Sequence, residues 1–244
     1  MNQTIDLLKA HRSVRKFKKR TVEEEKVNAI IEAAQWSATS SNYQAYTIIR
    51  VNDPEKRSKI ARLAGGQKWI EECPLFLIFC ANLKRSKDCW EDIDPAYLSN
   101  TEMFITATVD TALAAQKAFV AAQSLGLGGV YIGGIRNDLQ TVCELLNIPK
   151  LVYPVFGMCL GYPAESPDQK PRLPREIIFK EDRYHEDGDD KLLEKYNRAM
   201  KDYYRERTGG EKEDTWGRHC GSSMMAKTRE YLGNFLKARG IGVK

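Results

Sequence analysis

The longest helical pattern in the chain is TEMFITATVDTALAAQKAFVAAQSL, residues 101–125. It carries few charges and small residues on nearly every side, and it is followed by Gly126 and Gly128, which are typical stop signals for a helix. A helix with so little amphipathicity is expected to be buried almost all round. The pattern therefore predicts a central helix packed on a sheet, and it also allows a second subunit to cover part of that helix.

Strands and a further helix are predicted on both sides of this segment. The run from Thr21, TVEEEKVNAIIEAAQWS, has a capping-box signature with Glu24 three residues later and then an apolar helical face. A last helix of moderate amphipathicity is expected over about 222–239. Four β-branched or aromatic runs predict strands: AYTIIRV (45–51), PLFLIFCA (74–81), GGVYIGGI (128–135) and YPVFGMCLGYP (153–163).

Composition limits the classes of function. The 244 residues, 42% of them hydrophobic, suffice for one substantial core or for a core with an appended lobe. The net charge of +5 suits an anionic ligand but falls short of a nucleic-acid footprint. No apolar run reaches the roughly 18 residues of a membrane helix. The first residues, MNQTIDLLKAHR, lack a signal-peptide pattern, so we expect a cytoplasmic protein without membrane or nucleic-acid partners.

Metal and disulfide chemistry are not expected. The six cysteines contain no CxxC pair, and the chain has only three histidines. Buried, reduced thiols, with no metal site, are the better interpretation.

Two stretches concentrate positive charge beside groups that suit an anion. HRSVRKF (11–17) combines a histidine, two arginines and a serine. In QKPRLP, Lys170 and Arg172 flank Pro171, and residues two apart in an extended segment point the same way. Such cations suit a phosphate dianion. A solvated basic face remains the alternative for both stretches.

The glycine-rich stretch GLGGVYIGGIRN (126–137) does not encode a dinucleotide fold. The pattern G-x-G-x-x-G fails because Tyr131 stands at its sixth position, and these glycines follow a helix and precede a strand. We therefore expect no separate nucleotide-binding domain.

Together these segments resemble a known family. HRSVR, SATSSNYQAY, AGGQKWIEECP, GLGGVYIGGIRN and KPRLP occur in the order and spacing of the FMN-dependent nitroreductases. The sequence is most similar to the branch of oxygen-insensitive NAD(P)H nitroreductases and flavin reductases, including a later YYRERTGG…DTWG. The resemblance implies an α+β fold with a central mixed sheet flanked by helices. It also implies an intertwined homodimer with FMN at the subunit interface. The chain would be a single domain, 1–244, with an FMN-binding core (1–175) and a C-terminal arm or lobe (176–244).

The resemblance also implies a set of cofactor-binding residues. Those for the phosphate, ribityl and pyrimidine side of FMN are His11, Arg12, Ser13 and Arg15, with Lys170 and Arg172 on the phosphate. The hydroxyl-rich stretch that contacts the cofactor corresponds to Thr39, Ser40 and Ser41, and Gln67 corresponds to a glutamine at the polar edge of the ring. The segment near the flavin carbonyl and N5 corresponds to Ile132, Gly133 and Gly134, and Tyr131 is assigned to the site as well. We assign Arg15 to the region of flavin N1. No catalytic side chain is expected, because the cofactor carries the hydride chemistry.

The implied activity is an FMN-dependent NAD(P)H oxidoreductase that reduces nitroaromatics, quinones or free flavin. Without a second nucleotide fold, donor and acceptor must use one flavin face in turn, so ping-pong kinetics are expected. For NADPH, the resemblance points to Arg207 and to Lys212, where an arginine is usual, with Arg205 available to compensate. NADPH, NADH or both would serve as donor, and a charged surface loop remains an alternative at Lys212. Two other functions stay open: supply of reduced FMN to a partner monooxygenase, and a non-catalytic flavin-binding redox sensor.

Overall fold

The computed structural model describes residues 2–90, 92–226 and 228–242. The chain forms two compact units. The first comprises the residues up to Pro167 together with those from Arg229 onward, and the second comprises Asp168–Thr228. Pro167 accepts a hydrogen bond from Arg12 within the first unit, and Pro171 accepts one from Tyr196 within the second. The division into a core (1–175) and an arm (176–244) stays a prediction. The single-domain organisation stays a prediction.

The first unit is built on a four-stranded sheet. Its strands are β1 (Tyr46–Arg50), β2 (Leu75–Asn82), β3 (Gly128–Ile132) and β4 (Val152–Gly161), in the order β1-β2-β4-β3. All named neighbours are antiparallel, and a parallel bridge between Ser13 and Gly129 makes the sheet mixed. All four predicted strands are present, but β3 ends at Ile132, and the predicted continuation over 133–135 belongs to a 3₁₀ turn.

Helices surround the sheet and form most of the second unit. In chain order they are α1 (Gln3–Lys9), α2 (Glu24–Gln35), α3 (Pro54–Leu63), α4 (Trp69–Glu72), α5 (Lys84–Cys89), α6 (Thr101–Ser124), α7 (Leu139–Leu145), α8 (Arg175–Ile178), α9 (Asp189–Arg207), α10 (Trp216–Met225) and α11 (Leu232–Ala238). Single 3₁₀ turns lie at Ser40–Asn42, Pro95–Tyr97 and Gly133–Asn137. The predicted α+β class is confirmed.

Helix α6 is the central helix that its sequence predicts, but it is not buried all round in the single chain. Its alanine-rich side, including Ala114, Ala118 and Phe119, is fully buried against α2 and the sheet. On the other side Ile105, Val109 and Leu113 are 49%, 48% and 44% exposed. The sheet and α2 cover only one side, so an apolar stripe of three residues one turn apart stays open. We call this the α6 stripe.

Two local predictions were wrong. Helix α2 is capped at Glu23 rather than Thr21, and the Glu23 carboxylate binds the Arg20 guanidinium and the Tyr162 hydroxyl instead of helix amides. The predicted helix over 222–239 is interrupted between α10 and α11. There Arg229 has a φ of 41°, a backbone conformation that cannot continue a helix. Across the described residues, the structure has no helix whose length and apolarity would let it cross a membrane.

Candidate functional site

The basic segment near the N-terminus is held along the sheet by its backbone. The Val14 amide donates to the Gly129 carbonyl at 2.9 Å, and the Lys18 amide donates to the Tyr162 carbonyl at 2.8 Å. A Cβ on Gly129 would lie 2.4 Å from the Cys159 carbonyl oxygen, so only glycine permits this close packing. The segment predicted to bind an anion is therefore fixed beside β3.

Arg12 and Arg15 have different surroundings. The Arg12 Nη1 donates to Ser166 Oγ and to the Pro167 carbonyl, each at 3.3 Å. The exposed Arg15 guanidinium lies 5.8 Å from the centre of the Trp69 ring. The Glu165 carboxylate accepts from the backbone amides of Arg15 at 2.7 Å and of Lys16 at 3.1 Å. Glu165 thus orients this turn, a role that its sequence context did not indicate.

His11 and Tyr131 meet on a shared aromatic ring. The His11 ring lies 5.2 Å from Phe119, and Tyr131 stacks on the same ring at 5.3 Å with an interplanar angle of 14°. The Tyr131 hydroxyl donates to Gln116 Oε1 at 3.2 Å, and burial raises the pKa of Tyr131 above its usual range. Phe119 was not predicted as a site residue, because its spacing in α6 is typical of an ordinary core residue.

Gln67 is brought against the turn that follows β3. A Cβ on Gly134 would lie 2.6 Å from Gln67 Nε2, and that amide donates to the Ala64 carbonyl at 2.8 Å. Ile132, at the end of β3, is fully buried. The fold therefore unites Gln67 with the predicted segment 132–134.

Arg229 is an unpredicted residue of the same region. Its Nη2 donates to the Gly133 carbonyl at 3.3 Å and to Asn137 Oδ1 at 3.0 Å. Burial lowers the pKa of Arg136, and the positive charge of Arg229 lowers it further. Nothing in the surrounding sequence, REYLG, distinguished Arg229 from a surface arginine.

The hydroxyl-rich segment lies at another stretch of α6. Thr39 precedes the 3₁₀ turn that holds Ser40 and Ser41, and Asp110 accepts a hydrogen bond from the Ser40 amide at 3.0 Å. Asp110 precedes Phe119, the contact of His11, by nine residues, which corresponds to about 14 Å along the helix axis. These two parts of the predicted site are therefore anchored at separate points of α6.

In the second unit, two predicted lysines share one tyrosine. Lys170 Nζ donates to the Tyr204 hydroxyl at 3.2 Å and lies 5.3 Å from the ring centre. Lys212 Nζ lies 4.8 Å from the same centre and 3.7 Å from Asp214 Oδ2. Arg172, near Lys170 in sequence, is exposed. One residue predicted for the FMN phosphate, Lys170, and one predicted for the nucleotide, Lys212, thus meet at Tyr204.

The two arginines of α9 have contacts within their own helix. Arg205 Nη2 binds Asp202 Oδ1 at 2.7 Å, and Arg207 Nη1 donates to the Tyr203 hydroxyl at 3.1 Å. Arg205 is half-exposed, and its ion pair spans a single helical turn. Asp202 is half-exposed and Tyr203 is partly buried, and such local surface contacts are weak, which leaves both guanidinium groups available to an anion.

The donor set suits FMN. Guanidinium and ammonium groups match a phosphate, serine and threonine hydroxyls match a polyol chain, and a glutamine amide matches the pyrimidine edge. In addition, the buried indole Nε1 of Trp69, two residues from Gln67, has no acceptor among the residues that the structure describes. A buried donor without a protein partner is an unusual feature, and a bound ligand would explain it.

Comparison with known proteins identifies the family. The profile of the nitroreductase family matches residues 8–162, and the profile of the C-terminal domain of that family matches residues 170–244. The chain belongs to the nitroreductase family.

Its relatives match along the whole chain. An FMN reductase (NADPH) of Bacillus subtilis is 42% identical, with 99% of each chain covered. An oxygen-insensitive NADPH nitroreductase of Salmonella typhimurium is also 42% identical, with 98% of each covered. A solved nitroreductase structure from Bacillus subtilis superimposes with a TM-score of 0.95 at 41% identity, covering 98% of this chain and 99% of the other. The resemblance stated from the motifs is confirmed.

Proposed function

We propose that this nitroreductase-family chain is an FMN-dependent NAD(P)H oxidoreductase that reduces nitroaromatics, quinones or free flavin by a ping-pong exchange of two electrons. The observation that carries the proposal is the full-length match to two enzymes named for FMN reduction and nitro reduction. The donor set around β3 and α6 supports it independently, because its residue types suit FMN.

The chain's own residues bind and orient the cofactor. Arg12, Lys170 and Arg172 supply cations for the phosphate, and Arg15 supplies one for the pyrimidine side of the ring. Bound FMN would provide the hydride-accepting chemistry, so no side chain has to act as nucleophile or general base. Tyr131 stacks on Phe119 and His11 contacts the same ring at a tilt, and these contacts limit their motion at the site.

The second unit recognises the electron donor. Lys212, supported by Tyr204 and Asp214, offers a charge to a 2′-phosphate, with Arg207 and Arg205 on α9 as further cations. A lysine lacks the bidentate fork of arginine. We therefore propose that the chain accepts both NADPH and NADH with weak discrimination.

Cofactor loading and anaerobic reduction test this function. The purified chain, incubated with FMN and desalted, is expected to stay yellow and to lose its colour rapidly when NADPH or NADH is added without oxygen. Initial rates with a nitroarene and a quinone should then give parallel double-reciprocal lines. A chain that stays colourless, or that binds FMN but is not bleached, would contradict the proposal; the second result would indicate a flavin-binding sensor.

A flavin reductase that feeds a partner monooxygenase is the second candidate. It is favoured by the FMN reductase named among the full-length relatives. The two functions differ in whether flavin leaves the protein during turnover. Ultrafiltration of the reduced protein separates them: flavin in the filtrate at a protein concentration well above the dissociation constant of oxidised FMN supports the supply role.

A homodimer completes the proposal. The α6 stripe exposes three large apolar side chains in the single chain, a surface that a second copy would cover. The separate anchoring of Ser40 and His11 along α6 also suits a flavin site to which two copies contribute. The expected cytoplasmic location stays a prediction.

A further inference from the structure

Asp110 is a buried carboxylate that forms no ion pair with any residue that the structure describes. It lies in the middle of α6 and is 1% exposed. Asp189, the other buried carboxylate among the described residues, pairs with Lys180 at 2.7 Å. No Lys, Arg or His of the described chain lies within 4.0 Å of the Asp110 carboxylate. A buried charge is costly unless hydrogen bonds compensate for its lost hydration, so its partners indicate its role.

Those partners are the two ends of one loop. Oδ1 of Asp110 accepts from the Ser40 amide at 3.0 Å, and Oδ2 accepts from the Ala45 amide at 3.1 Å. Hydrogen bonds to an ionised acceptor are stronger than those between neutral groups. One carboxylate therefore closes residues 40–45 into a fixed loop, which we call the Asp110 loop.

The Asp110 loop has a conformation that its residues do not favour. Ser41, Asn42 and Gln44 have φ values of 44°, 57° and 50°, all in the left-handed region that favours glycine. Backbone strain of this kind persists only where the surroundings impose it, and it is concentrated at functional sites. Asp110 at both ends, with Arg85 Nη1 donating to the Gln44 carbonyl at 3.0 Å, imposes it here.

We propose that Asp110 is a positioning residue that holds the Asp110 loop so that the hydroxyls of Ser40 and Ser41 are preorganised for FMN. This inference rests on the proposed function, because it takes these hydroxyls as cofactor contacts. Asp110 acts only through the loop backbone. If the loop is already ordered in the free protein, ordering it on ligand binding costs less free energy, and the ligand binds more tightly.

The test is Asp110→Asn, with Thr111→Val as the matched control. The asparagine amide turns a donor toward one of the two backbone amides and so breaks at least one bond. Thr111 is the next residue of α6 and is fully buried, and its hydroxyl donates within the helix to the Ala107 carbonyl at 2.7 Å. Hydrogen exchange of the 40–45 amides is measured on apoprotein, and the dissociation constant of FMN by calorimetry.

We expect the Asp110→Asn amides to exchange at least about tenfold faster and FMN to bind about tenfold more weakly, the factor of one hydrogen bond to a charged group. Thr111→Val should change neither value. Turnover at saturating FMN should stay within about twofold of the wild type. Adding Asn42→Gly to Asp110→Asn removes the Cβ penalty at φ 57° and should recover part of the FMN affinity. The double variant is measured in place of Asp110→Asn where that single variant does not fold.

Unchanged exchange would show that Asp110 does not hold the loop, and faster exchange with unchanged FMN affinity would show that the loop does not serve the cofactor. Either result overturns the inference. Failure of the proposed function is recognised separately on the wild-type chain, which would then either bind no FMN or bind FMN without being bleached by NADPH or NADH.

Discussion

The charge of Arg15 is available to a ligand. Its backbone amide is fixed by Glu165, while its guanidinium is exposed near the Trp69 ring. A cation about 4 Å from a developing negative charge contributes on the order of 4 kcal/mol at an effective dielectric constant near 20. In a two-electron couple, 1.4 kcal/mol corresponds to roughly 30 mV, so the upper bound is about 90 mV. Solvent reduces this effect because the group is exposed.

Arg15→Ala should therefore lower the midpoint potential of bound FMN by some tens of millivolts and weaken FMN binding. Potentials are measured by equilibration with a reference dye under anaerobic conditions. Lys16→Ala is the control, since it removes the same charge from the next residue, whose amide also binds Glu165. An unchanged potential in Arg15→Ala, or an equal shift in both variants, would remove the specific role of Arg15.

We propose that Lys212 influences the preference between the two nicotinamide nucleotides. Lys212→Arg should raise the ratio of kcat/KM for NADPH to that for NADH by about tenfold, because a fork-shaped guanidinium binds a phosphate through two hydrogen bonds. Lys212→Ala should bring the ratio close to one. Lys201→Ala, which removes an exposed lysine bound to Glu213, is the control. Equal ratios in all four proteins would make Lys212 an ordinary surface lysine.

Gly129 tests how closely β3 is packed against β4. Gly129→Ala would set a Cβ 2.4 Å from a backbone oxygen, so we expect a loss of about 1–3 kcal/mol in the free energy of unfolding. Gly233→Ala in α11 is the control: no atom lies within 4 Å of its Cβ, and alanine should be neutral or stabilise the helix by up to about 1 kcal/mol. Urea unfolding measures both. Equal stability of the two variants would contradict the close packing.

At the scale of elements, α2 begins with an ion cluster rather than with a hydroxyl cap. Hydrogen bonding from the Tyr162 hydroxyl, with help from the Glu23 backbone amide and Arg20, lowers the pKa of Glu23 from 4.5 to about 2. A carboxyl whose pKa is lower in the folded state stabilises the fold above its unfolded pKa. That contribution is lost as the pH falls from about 4.5 towards 2.

Glu23→Gln should accordingly reduce stability at pH 7, and its difference from the wild type should narrow as the pH falls below about 5. Urea unfolding at pH 7, 5.5 and 4 measures this trend. Glu25→Gln, two positions further into α2, removes the same charge without touching Tyr162 and serves as control. A difference that stays constant over this range would mean that the Glu23 charge does not contribute.

At the scale of the whole molecule, the α6 stripe predicts association. Val109→Glu places a charge in the middle of the stripe, and burying it should raise the dimer dissociation constant about a hundredfold or more. Lys59→Glu on exposed α3 is the control for an added carboxylate. Sedimentation equilibrium over a range of concentrations measures both. A wild-type chain that stays monomeric, or a Val109→Glu variant that dimerises as before, would contradict the proposed interface.

Local pattern alone determined much of this protein. Local patterns predicted the four strands, helix α6 with the glycine that ends it, and the cationic stretch 11–17, because periodicity and turn residues act over a few positions. The motifs in order then indicated the family and its FMN chemistry. The start of α2 was misjudged because Tyr162, 139 residues away, competes for the Glu23 carboxylate.

Folding decided which side chains meet. Phe119 beneath His11 and Tyr131, Gln67 against Gly134, and Asp110 at both ends of its loop are contacts between residues far apart in the chain. The sequence around Asp110 in α6 gives no local signal of the groups that its carboxylate binds. Such contacts arise only when packing removes water and brings distant polar groups together, so they could be found only in the folded structure.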